Sequence, residues 1–327
     1  MDNRDFIGEL VGDGRSLISV TGMALIFSGV FALFLSVTGS FLPHDISFLK
    51  MQPEELCAIN ECRIVHFMFH DRVAFGGVLV AIGSLYLWIA AFPLRERLAW
   101  AWWTLAISGS AGFASFLCYL GYGYLDSWHG VATLALLPCF VTGMFLTRRM
   151  IDGKSTWRCV FTRGIPIGRN SRLSLGRACL LATGLGMIGG GMVIMIIGMT
   201  TVFVPQDIAY MGLPPDRLQS INPRLIPLIA HDRAGFGGGL ASCGILVVCI
   251  VWNAHPSRHL WQVLSMAGVA GFGCAIAVHY HIGYTDLLHL APAWLGAALF
   301  GTGMTLCRRD MLSNSPAATG RDIPVSP

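Results

Sequence analysis

The octapeptide HDRVAFGG at residues 70–77 returns as HDRAGFGG at residues 231–238. On either side of it the halves of the chain align. Thr21-Gly22 matches Thr183-Gly184, Pro43-x-Asp45-Ile46 matches Pro205-x-Asp207-Ile208, Asn60 matches Asn222, and Arg148-Arg149 matches Arg308-Arg309. The offset drifts only from 162 to 160, so two single-residue gaps suffice. The chain therefore reads as a tandem duplication, and any fold proposed for it must be two like units that keep the same ionisable groups.

The solvent of those units follows from composition. Soluble domains carry about a quarter charged residues, whereas this chain has 12% charged and 54% hydrophobic residues. A bilayer-spanning helix needs about twenty mostly apolar residues, and eight such runs occur, at 17–42, 73–92, 98–122, 130–147, 178–204, 234–252, 260–278 and 290–307. The expected fold class is an all-α integral membrane protein with eight transmembrane helices arranged as two tandem, parallel four-helix repeats. Four spans bring the chain back to its starting side, so both repeats enter the membrane from the same face, unlike inverted repeats. The expected divisions are a leader at 1–16, repeat one at 17–149, a basic linker at 150–177, repeat two at 178–309 and a tail at 310–327. The first apolar run is too long for a signal-peptide core and lacks a small-residue exit, so it reads as a retained span.

Orientation follows from Lys and Arg, which favour the cytoplasmic side. Of the 22 basic residues, 16 lie in the leader, the loops after spans two and six, the linker and the tail, and 6 lie on the other side. Both termini are therefore expected in the cytoplasm, with the His-Asp-Arg motifs at the outer ends of their helices. Cys57 and Cys62 share an outer loop, where an oxidised pair is allowed. The linker reads as a basic anchor beside anionic lipid. Nothing in the chain reads as a nucleic-acid motif, so the expected partners are the lipid bilayer and other membrane subunits.

Gly184-x-Gly186-x-x-Gly189 spells a dinucleotide fingerprint, but it lies inside an apolar span with no strand before it. That motif has meaning only between a strand and a helix, so these glycines read as helix packing.

The polar islands carry the chemistry. His70, Asp71 and Arg72 open span two, and Asp126 and His129 open span four three residues apart, on one helical face. His231, Asp232 and Arg233 with Asp286 and His289 repeat the arrangement. These ten residues are the candidate catalytic set. Gly76, Gly77 and Tyr124, with Gly237, Gly238 and Tyr284, are candidates for contacting a cofactor, because glycine admits a flat ligand or a second backbone. The plain reading is a structural clamp, Arg72 with Asp126 and Arg233 with Asp286. Each island holds more groups than a clamp needs, and ionisable residues at membrane depth default to function. A metal site would use His70 with His129, and His231 with His289, in a His and carboxylate set that suits zinc or iron. His66, four residues before His70, would add a ligand to the first set, and His279 and His281 would serve the second, although these extras do not correspond between the halves. A bis-histidine haem b on the same pairs is the second reading. The third is transport, weakened because no span carries a charge at its middle.

The segments FLPHDISFLKM, CAINECRIVHFMFHDRVAFGG, VPQDIAYMG and IAHDRAGFGG together resemble a bacterial family of duplicated multi-span membrane proteins. The resemblance implies the bacterial cytoplasmic membrane as location and attaches no activity. The function reading is a metal- or haem-dependent membrane enzyme or redox protein. Its alternative is a transporter or assembly subunit whose islands only hold helices together.

Overall fold

The computed structural model describes residues 11–115, 124, 127–153, 155–162 and 171–313, with the backbone alone at 128 and 129. Twelve α-helices run through the described residues. They are α1 (Arg15–Thr38), α2 (Pro43–Leu49), α3 (Pro53–Ile59), α4 (Arg63–Ala91), α5 (Ala99–Ser115), α6 (Ser127–Arg148), α7 (Arg172–Met199), α8 (Pro205–Met211), α9 (Pro215–Ile221), α10 (Leu225–Asn253), α11 (Arg258–Ile282) and α12 (Leu287–Leu312). Seven of these, α1, α4, α6, α7, α10, α11 and α12, are long and apolar enough to cross a membrane. The protein is a polytopic helical membrane protein. Within the run expected at 98–122 the described helix is α5, with 17 residues, and residues 116–123 lie outside the described set.

Two helices form the centre. In α4 and α10, 72% and 78% of the most apolar 18-residue stretch is buried inside the protein, against 22% in α1, α7 and α11. The central helices pack on each other, α1 lies along α4, and α7 lies along α10. The remaining contacts cross over, because α11 packs on α4 and α5 packs on α10. Helix α12 then leans on α7, and α6 on α1. Each central helix is thus walled partly by the other half of the chain.

Glycine pairs set the closest approaches. A methyl group at Gly29 in α1 would sit 2.5 Å from the Gly76 carbonyl oxygen of α4, and one at Gly191 in α7 would sit 2.5 Å from that of Gly237 in α10. Gly22 meets Gly83, and Gly184 meets Gly244, in the same way. Without a hydrophobic force between helices in lipid, association leans on such close backbone packing.

The loops that join α1 to α4 and α7 to α10 fold into pairs of seven-residue helices, each opened by proline: Pro43 and Pro53, then Pro205 and Pro215. Proline suits a first helical position because the missing N–H has no partner there anyway. The pairs clasp each other across the molecule. The Asn222 side-chain amide donates to the Leu49 carbonyl at 2.7 Å, and Asn60 donates to the Met211 carbonyl. Cys57 and Cys62 form a disulfide in the first of these loops. Below them a second core gathers Phe67, Leu56, Leu49, Met211, Leu218 and Tyr284. This region, the motif end of the bundle, carries both His-Asp-Arg motifs, Tyr124, Tyr284 and His289.

One expectation is corrected here. The His-Asp-Arg motifs do not begin their helices. Helix α4 starts at Arg63 and α10 at Leu225, so His70 and His231 stand about two turns inside, and both are buried.

Close packing makes a testable contrast within α7. Gly191→Ala puts its methyl against the α10 backbone and is expected to lower the thermal midpoint in detergent, since overpacking costs about 1–3 kcal/mol. Gly186→Ala, where an added carbon meets no atom within 4 Å, is expected to leave the midpoint level or raise it slightly through helix propensity. Equal midpoints for the two variants would show that the glycine pair does not set the helix spacing.

Candidate functional site

The two arginines of the repeated motif reach across to the opposite half. Arg72 donates through Nε to Asp232 and through Nη1 to Asp45, both at 2.7 Å. Arg233 donates through Nε to Asp71 at 3.3 Å and through Nη1 to Asp207. Its Nη1 also reaches the Val202 carbonyl at 2.8 Å. The pairing is reciprocal: each motif's arginine takes the other motif's aspartate, plus one aspartate from its own half's short helix. Arg233, Asp71, Asp45 and Asp207 are all buried.

The short helices exist in this form because of those aspartates. Asp45 and Asp207 are the third residues of α2 and α8, and their carboxylates also accept the backbone N–H of Leu42 (3.3 Å) and Val204 (2.8 Å) just before the helix. A carboxylate there satisfies an amide that the helix leaves unpaired. Each carboxylate's other oxygen accepts a tyrosine hydroxyl, Tyr124 on Asp45 at 2.6 Å and Tyr284 on Asp207 at 2.7 Å. Burial by itself would raise the Asp45 carboxyl. The Arg72 guanidinium, with hydrogen bonds from Tyr124 and Arg72, overcomes this and holds the group below its ordinary value of 3.8.

Beside this network three imidazoles converge. His70 of α4, His279 of α11 and His289 of α12 each bring one ring nitrogen within 4.8 Å of those of the others. His70 Nε2 and His279 Nε2 are 3.0 Å apart. A partner at the other ring nitrogen fixes the tautomer, which is how a proton position is assigned. His70 Nδ1 lies 3.1 Å from Asp71 Oδ1, and His279 Nδ1 faces the Ala275 carbonyl. His289 Nδ1 lies 3.1 Å from the Tyr284 hydroxyl, which already gives its proton to Asp207 and so accepts. The partners of His279 and His289 take the hydrogen on Nδ1 and leave a lone pair on each Nε2, whereas His70 Nδ1 lies near the Asp71 charge without a hydrogen bond. A proton or a cation between His70 Nε2 and His279 Nε2 would satisfy both atoms.

The supporting shell runs back to one residue. Arg233 holds Asp71, which holds His70, and it holds Asp207, which through Tyr284 holds His289. The arginine network therefore positions His70 and His289 through Asp71, Asp207 and Tyr284.

The sequence candidates fall out as follows. His70 and His289 come together, from different halves, and neither was expected to partner the other. His279, an unmatched extra, is the third member. Asp45 and Asp207 were visible as an aligned Pro-x-Asp pair, yet nothing in the spacing tied them to the islands. His231 faces the Tyr124 ring at 4.9 Å between centroids. Asp126 and the side chain of His129 lie outside the described residues, so the expected pairing of Arg72 with Asp126 does too. Asp286 is not the partner of Arg233; its carboxylate caps α12 by accepting the His289 backbone N–H at 2.8 Å. The candidate cofactor glycines are spent on helix contacts. Gly76 meets α1, Gly77 meets the Ala270 carbonyl of α11, Gly237 meets α7 and Gly238 meets Ser115 of α5. Of the fingerprint glycines, Gly184 packs as expected, while Gly186 and Gly189 stand clear of any neighbour.

No protein-family model, curated protein or solved structure matches this chain. The functional reading rests on the site itself.

Two outcomes test the network. Arg233→Met strands two buried carboxylates and is expected to cost about 3–5 kcal/mol in detergent unfolding, while Arg63→Met, in a half-exposed pair with Glu61, costs less than about 1 kcal/mol. A carboxyl held low in the fold stabilises it fully above its ordinary pKa and progressively less as pH falls towards the folded value. Acid unfolding should therefore begin below about pH 4, and Tyr124→Phe, which removes a hydrogen bond to ionised Asp45, should move the acid midpoint upwards. An unmoved midpoint would mean that Tyr124 does not support that carboxylate.

Proposed function

We propose that the protein is a metal-dependent membrane enzyme or redox protein centred on His70, His279 and His289. The observation that carries this reading is the convergence of three imidazoles from three helices, each with a ring nitrogen within 4.8 Å of those of the others. Three imidazoles with one position left open are the ligand set of catalytic zinc, and imidazole serves iron equally. Charge supports the same reading. Two guanidinium groups and four carboxylates give the adjoining network a formal charge of −2 when all are ionised, which one divalent ion offsets in a medium where unbalanced charge is costly. The 3.0 Å between His70 Nε2 and His279 Nε2 is close to the roughly 3.3 Å between two ligands of a tetrahedral ion at zinc–nitrogen bond lengths. The same separation leaves no room for a porphyrin between those rings, which favours a single ion over haem b.

A clamp is present, built from other pairs than Arg72 with Asp126 and Arg233 with Asp286. Arg72 and Arg233, with their four aspartates, are satisfied pairs that lock α4 to α10, and we assign them that structural role. In this proposal the chain spans the bilayer eight times in two tandem repeats, with the site at the outer leaflet and the linker in the cytoplasm, as the distribution of Lys and Arg supports.

Elemental analysis of protein purified without chelator is expected to show about one zinc or iron per chain. His279→Ala should lower metal affinity at least about tenfold, and Tyr284→Phe should lower it about 10–100-fold, as losses of outer-shell partners do. His231→Ala should retain the metal. Metal content that is nil in the wild type, or insensitive to His279→Ala, would refute the assignment.

A further inference from the structure

A cavity of about 600 Å³ adjoins the triad, within the size range of small-molecule sites. Five long helices line it, α4, α7, α10, α11 and α12, and the three histidines stand at its motif end. Along α11 it runs from Ala267 to His279, about 18 Å of helix. Away from the polar end the lining is almost wholly apolar. Gly186 and Gly190 of α7 line it, and a Cβ added at either would meet no atom within 4 Å.

The cavity also has a side opening. Leu288 and Leu295 of α12 line it, yet they are 75% and 63% exposed. Helices α7 and α12 meet at Gly176 and Gly303 and enclose the cavity between them further along. In a bundle that crosses the bilayer, a gap between two spans faces acyl chains rather than water.

The polar end decides the head group. Arg233 already holds two carboxylates and a carbonyl, so it is not available to an anion. A divalent ion on the triad would bring the adjoining network from a formal −2 to zero. A neutral cluster at the end of an apolar pocket disfavours a charged ligand, which loses its hydration without gaining a counter-charge.

We infer that the cavity takes an elongated apolar molecule from the bilayer, whose neutral hydroxyl or carbonyl oxygen occupies the open coordination position at the triad. The contact of the head rests on the metal reading; the seat of the chain does not. Gly186 and Gly190 are then specificity-determining positions, since their missing side chains leave the width that the chain needs.

Farnesol, an isoprenoid alcohol, and palmitate, an anionic chain, serve as probes on the full-length protein in detergent, loaded with Co²⁺ in place of the native ion. Wild type is expected to bind radiolabelled farnesol saturably, with a change in the cobalt visible spectrum, and palmitate should compete weakly. Gly190→Phe, which fills open space, should weaken farnesol binding about tenfold or more, about 1.4 kcal/mol or more, with cobalt content unchanged. Gly186→Leu gives a second variant should the first fail to fold. Non-saturable farnesol binding, equal binding by both variants, or tighter binding of palmitate would overturn the inference. Variant-sensitive farnesol binding without bound cobalt would refute the metal reading and the coordinated head, and would leave the chain's seat supported.

Discussion

The reciprocal ion pairs between α4 and α10 are the interaction on which the rest depends. An arginine or aspartate at membrane depth is costly unless paired, and here each motif's arginine finds its counter-charge in the other motif. That requirement brings the two halves together face to face. It places the two most buried helices side by side, and it pulls the short helices α2 and α8 inwards through Asp45 and Asp207. The same groups then orient the histidines. Arg233 reaches His70 through Asp71 and His289 through Asp207 and Tyr284, so the bond that joins the halves also aims the ligands.

The internal sequence match does not extend to the whole triad. At the offset of 160 the counterpart of His279 is Tyr119, while His70 and His289 have His231 and His129 as counterparts. His279 is thus the member of the triad with no histidine counterpart in the other half of the sequence.

Much of this was legible in the sequence, and the limits have physical causes. Hydropathy located the long helices because a bilayer demands long apolar runs. It placed the start of α4 and α10 too late, since the charged His-Asp-Arg motif about two turns inside each helix interrupts the apolar run. The internal alignment pointed to His70, Arg72, His231 and Arg233 because ionisable groups kept in both halves stand out against apolar spans. Partner choice was not legible. A sequence orders neighbours along the chain, whereas α11 packs on α4 and α5 packs on α10 from the opposite half. The sequence offers His279 to the second half's set, whereas the fold brings it to His70, because α11 packs on α4. The glycines of His-Asp-Arg-x-x-Phe-Gly-Gly read equally as ligand contacts or helix contacts until the neighbouring backbones were in place.

The central claim is that three imidazoles from both halves of the chain hold one metal ion. X-ray absorption at the edge of the bound metal tests it most directly, because it counts the ligands and identifies their atoms. Three imidazole nitrogens at about 2.0–2.1 Å with one oxygen neighbour are expected if the ion is zinc, and so is a fall from three imidazoles to two in His279→Ala. A shell containing sulfur at about 2.3 Å, or an imidazole count that His279→Ala leaves unchanged, would contradict it.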